Sequence, residues 1–171
     1  MAKAKGRHPQ DKEPEKFEFV EPVPLPCSAD ETEAHVRAFI ESFVVKDARP
    51  RWIELLLDRS HRLERKHGEP VPHKLRDAVD KLLGRFKTEQ MPNCCSPITG
   101  TATWPIALRR VLGDERGVYF ALDSAPCRMT AAEAASIAYE SYAILSFEAG
   151  RRALLFQHEG TVWRCDRPRN A

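Results

Sequence analysis

Apolar positions in the first half of the chain recur with a helical period. Val36, Phe39, Ile40 and Phe43 fall at i, i+3, i+4 and i+7, one face of a helix. Ser28 with Glu31 three residues on forms a capping box, so a first helix is predicted over residues 28–45. Trp52, Leu55, Leu56 and Leu63 trace a second helical face, widened by Ile53 and Leu57; Asp47 is its expected cap, and Pro50 fits its first turn. Trp52 is expected to be a core anchor of that helix. Lys66 and His67 before Gly68 suit its C-terminal end. The rigid connector Glu69-Pro70-Val71-Pro72 follows, and Leu75, Val79, Leu82 and Phe86 then mark a third helix.

Past Gly117 the period shortens to two. Val118, Phe120 and Leu122 alternate with polar or small neighbours, as in a strand. Thr130 and Glu133 form a second capping box, starting a helix expected to run to about Tyr142. Ala131, Ala134, Ala135 and Ala138 let that helix lie close on a sheet. Ala143, Leu145 and Phe147 alternate with Ile144, Ser146 and Glu148. Ala149-Gly150 can reverse the chain, and residues 153–156 and 162–165 read as two returning strands. Residues 90–103, punctuated by Pro92, Asn93, Pro97 and Gly100, read as a loop; residues 104–111 read as a strand begun by Pro105.

The pattern predicts an α+β fold, with two or three N-terminal helices packed with a small C-terminal antiparallel sheet carrying one helix. Residues 28–171 are assigned to a single domain. Residues 1–27 are expected to be a flexible tail, dispensable for folding, the alternative being that Phe17 to Val20 dock as an added edge strand. Up to Pro26 they hold five prolines, five basic and five acidic residues, with few apolar ones.

Composition adds exclusions more than assignments. A net charge of +2 is too small to imply nucleic acid. No apolar run approaches the roughly 20 residues of a membrane span, and no apolar core follows the basic N-terminus as in a signal peptide. A soluble cytoplasmic protein with no membrane association is the expectation. There the five cysteines, odd in number and without framework spacing, are expected to be reduced thiols.

The adjacent pair Cys94-Cys95 is the most conspicuous candidate chemistry. A nucleophilic thiolate needs a base or cationic field beside it, and no local signature supplies one. Tetrahedral zinc is not suggested either, since Cys-x-x-Cys is absent. His61, His67 and His73 recur every six residues, which does not place them on one helix face. Residues 49–76 carry eight Arg or Lys against four acidic residues. Within them Arg59, Arg62, Arg65 and Lys66 can cluster at helical spacing, and they are the nominated binding residues. Phosphate-cradling loops, dinucleotide fingerprints, nucleophile elbows and metalloprotease helices are all missing. No catalytic residue, metal or cofactor is assigned. The expected function is non-enzymatic, binding another macromolecule, with a protein as first partner. The alternatives are a polyanion-binding module built on Arg59 to Lys66 and an enzyme with an unrecognised site near Cys94 or Cys95.

Overall fold

The computed structural model describes residues 16–58, 71–122, 124–138 and 141–168. The fold is α+β, with six helices and a seven-stranded antiparallel sheet among the described residues. In chain order come β1 (Leu25–Pro26), α1 (Ala29–Phe43), α2 (Arg49–Ile53), α3 (His73–Gly84), α4 (Phe86–Glu89), β2 (Cys95–Ile98), α5 (Pro105–Leu112), β3 (Arg116–Phe120), β4 (Cys127–Thr130), α6 (Ala131–Ile137), β5 (Ala143–Glu148), β6 (Arg152–Phe156) and β7 (Val162–Asp166). Strand order across the sheet is β1-β4-β3-β5-β6-β7-β2.

Helices cover both faces of this sheet. On one face α1 to α4 bury Phe39, Phe43, Trp52 and Phe86 against Ile144, Leu155 and Trp163. On the other, α5 and α6 bury Leu108 and the alanines of α6 against Leu145, Leu154 and Phe156. Burial on both sides explains why β5 and β6 contain consecutive apolar residues as well as alternation.

Ser28 caps α1 by accepting the Glu31 N–H at 3.0 Å. The Glu31 carboxylate turns outward to pair with Arg128 on β4, tying α1 to the sheet. The cap of α2 is Ala48, not the expected Asp47, because a turn at residues 45–48 already brings Ala48 to helical angles. One π turn, Glu54–Asp58, continues α2 and buries Leu55, Leu56 and Leu57 in succession. Residues 59–70, expected to finish that helix at Gly68 and begin the connector, lie outside the described residues. Trp52 is a core residue, fully buried, and donates its indole N–H to Glu89 at 2.6 Å.

Three local expectations are corrected. The stretch 104–111, expected as a strand, is instead the helix Pro105–Leu112 with Trp104 as its extended N-cap. Pro105 occupies the first helical position, where its missing N–H costs nothing, and Gly113 closes the helix at φ 69. The loop expected at 90–103 contains edge strand β2. Its Pro97 lies opposite Trp163 at a position whose backbone faces away from β7, so no ladder bond is lost. The residues before α6 form β4, and α6 itself ends at Ile137 rather than near Tyr142.

Of the stretch expected to be a flexible tail, residues 16–27 are described, and they form a strap that passes over α6 to the β4 edge. Phe17 packs edge-on against Trp104, with ring centroids 5.9 Å apart. Leu25 and Pro26 pair with Arg128 and Cys127.

Candidate functional site

The nominated residues Arg59, Arg62, Arg65 and Lys66 lie outside the described residues, so no geometry attaches to them. Three other places in the fold carry polar chemistry: a Ser–His pair, a thiol group at one sheet edge, and at the other the strap of residues 16–27.

His35 Nδ1 and Ser146 Oγ are 2.8 Å apart, joining α1 to β5. A base beside a hydroxyl resembles half of a nucleophilic site. Ser146, however, is 2% exposed in mid-sheet, where a substrate could not reach it. Burial also lowers the His35 pKa and favours its neutral form. The pair ties a helix to a strand. The two residues are 111 apart in sequence, so no spacing could have revealed it.

Cys95 stands opposite Cys165 in the β2–β7 ladder, with Cys94 adjacent. All five cysteines are free thiols. Burial, and then a hydrogen bond with Cys95, pushes the Cys165 thiol far above its ordinary pKa. Among the described residues no group of three or more His, Cys, Asp or Glu is arranged to hold a metal ion.

The strap is the most constructed feature. Glu133, in the first turn of α6, is 5% exposed. Its carboxylate accepts N–H bonds from Thr130 at 2.7 Å and from Val23 at 3.1 Å, and it pairs with Arg116 at 3.1 Å. Arg116 also donates to the Val23 carbonyl at 3.0 Å. One residue of the strap is thus gripped through both backbone groups. Ser136 Oγ accepts the Val20 N–H at 2.8 Å one turn further along. Burial alone would raise the Glu133 pKa. The backbone bonds from Thr130 and Val23, with the Arg116 charge, outweigh it and hold the carboxyl below its usual range.

Between these anchors runs Glu21-Pro22-Val23-Pro24-Leu25-Pro26. Each proline ring fixes φ, and each residue before a proline is driven to extended angles, so the segment is stiff before it docks. Val23 and Leu25 turn their backbone groups inward to α6, Arg116 and β4. The intervening prolines have no N–H to offer on the outer side. Four of the six exposed large apolar side chains among the described residues belong to the strap: Phe17, Phe19, Val23 and Leu25. Phe19 and Val23 are each 59% exposed, and Leu25 is 46% exposed. The proline alternation was visible in the sequence. That it would be pinned was not, because its anchors Glu133 and Ser136 lie more than 100 residues away.

Two clefts flank the turn after β3. One, of about 300 Å³, lies toward Arg76, Asp80 and Tyr142; the other, of about 240 Å³, lies toward Val36 and Leu57. Ser124 lines both clefts, with Ser141 in the first and with Thr32 and Glu33 in the second. No helix among the described residues is long and apolar enough to cross a membrane. Compared with known proteins, the chain matches no family model, no curated protein and no solved structure.

Proposed function

We propose that the protein acts without catalysis, as a binding module for another protein, and that the pinned strap is the surface it presents. The observation that supports this is the outward row Phe19, Val23 and Leu25 on an extended segment whose backbone is held from behind. A segment serving only as a tie would turn its large apolar side chains inward. Partner addition by strand pairing is disfavoured, since Pro22, Pro24 and Pro26 remove the outer donors. The fitting partner has an apolar, aromatic-lined groove that receives a proline-rich extended segment through its side chains. Pre-ordering by Glu133 and Arg116 reduces the entropy lost on binding.

The test uses the full chain as bait in native extract treated with nuclease, followed by affinity measurement on the captured protein. Phe19→Ser with Val23→Ser is expected to leave folding unchanged, since exposed substitutions shift stability by about 0.5 kcal/mol or less. It should weaken partner affinity at least tenfold, and a synthetic peptide of residues 16–27 should compete. Unchanged affinity of the folded double variant would overturn the reading. Capture abolished by nuclease would favour a nucleic-acid partner and the basic cluster Arg59, Arg62, Arg65 and Lys66 instead.

A further inference from the structure

The edge strand β2 has one ladder neighbour, β7, and a cysteine pair lies in that ladder. Cys95 is directly opposite Cys165. The flanking residues are joined by a bond from the Asp166 N–H to the Cys94 carbonyl at 2.9 Å. In an antiparallel ladder this makes Cys95 and Cys165 a non-hydrogen-bonded pair, the type with the closer Cα atoms, about 4.5 Å apart. Disulfides need Cα separations of roughly 4.4–6.8 Å, so the backbone meets the requirement without moving. Both side chains point to the same face, into the core formed with α1 to α4. Cys95 is half-buried, whereas Cys165 has no exposure.

We propose that Cys95 and Cys165 are an oxidation site, which a hydroperoxide converts to a cross-strand disulfide that fastens the sheet edge. The Cys95 sulfur, the one solvent can reach, attacks the peroxide O–O bond; it forms a sulfenic acid, and the first oxygen leaves as water once protonated. The Cys165 sulfur then displaces the sulfenic hydroxyl, which takes the Cys165 proton and leaves as a second water. Two thiols are oxidised by two electrons and one hydrogen peroxide is reduced to two waters. Burial keeps Cys165 protonated until its partner is activated, so Cys95 reacts first.

The opposite sheet edge provides an internal control. Cys27 follows Pro26, the residue in register with Cys127, so its side chain falls on the other face of the ladder. Cys27 Sγ lies 3.4 Å from Thr32 Oγ1, and Cys127 Sγ 3.8 Å from Ser124 Oγ. These thiols are near in sequence register yet turned apart, and no bridge should form between them.

Full-length reduced protein would be treated with hydrogen peroxide at micromolar to millimolar concentrations, then digested and mapped by mass spectrometry. The expected result is loss of two of the five free thiols, with a Cys95–Cys165 cross-linked peptide that dithiothreitol removes. Cys94→Ser should retain the cross-link and Cys95→Ser should abolish it. Mapping the unaltered protein keeps the test decisive if Cys165 variants do not fold. A cross-link from Cys165 to Cys94, a bridge between Cys27 and Cys127, sulfinic acid on Cys95 with Cys165 still a thiol, or five thiols unchanged would each overturn the proposal.

Discussion

Glu133 is where local and long-range chemistry meet. Its backbone position completes a capping box that three residues of sequence suffice to specify, while the same carboxylate holds Val23 and Arg116. Glu133→Gln removes the charge and weakens all of these contacts, so stability should fall by roughly 2–3 kcal/mol in urea denaturation. The pH dependence has a defined sign. The folded-state pKa lies below the ordinary glutamate value of about 4.3, so the carboxylate contributes fully above that pH. Its contribution fades as pH falls through the lowered folded value. The stability gap between wild type and Glu133→Gln should therefore be widest near neutrality and shrink in acid; a gap independent of pH would contradict the assignment. Trp52 makes a simpler case. Its ring meets Phe39 and Phe86 with no exposure, and Trp52→Ala should cost about 3–5 kcal/mol by the same measurement.

Elements whose periodicity was strong in the sequence formed as expected: α1, α3, β5, β6 and β7. Those set by a proline or by a neighbouring strand were misread. Pro105 fits equally well at a strand start or the first turn of a helix, and residues 105, 108 and 112 decide for the helix only once Leu108 has a core to enter. Strand β2 has no alternation to announce it; β7 beside it makes Cys95–Ile98 a strand. The meeting of β3 and β5 shows how tightly such neighbours constrain each other. A Cβ on Gly117 would come within 2.9 Å of the Ser146 carbonyl oxygen and 3.1 Å of Leu145 Cδ1. Gly117→Ala should separate these central strands and cost about 1–3 kcal/mol. At the end of α3 the same change meets only the Tyr142 hydroxyl at 3.4 Å. Gly84→Ala is expected to be neutral or stabilising by about 0.5 kcal/mol, and thermal melts of the two variants test the contrast.

For the whole molecule, the strap closes the β4 edge of the sheet. Deleting residues 1–26 removes the Phe17–Trp104 contact, the bonds at Val20 and Val23, and strand β1. Such a truncation should lose roughly 2–4 kcal/mol and self-associate through the uncovered β4 edge, as seen by light scattering. A monomer of unchanged thermal midpoint would show that the strap is dispensable, as composition alone suggested. Composition alone does not locate the strap, because prolines and balanced charge report how little a segment can bury by itself. They do not report that a buried glutamate elsewhere has a backbone N–H to find. The sequence by itself determined the α+β class, the apolar faces of the principal helices, the Ser28 cap, the Thr130–Glu133 capping box and the β5–β6–β7 meander, because periodicity, caps and turns act within about ten residues. Tertiary structure alone decided that helices cover both sheet faces, that Cys165 stands opposite Cys95, that Ser146 is tied to His35, and that Glu133 anchors the strap. Each of these rests on strand order and register, which depend on contacts between residues from about 70 to more than 110 apart in the chain.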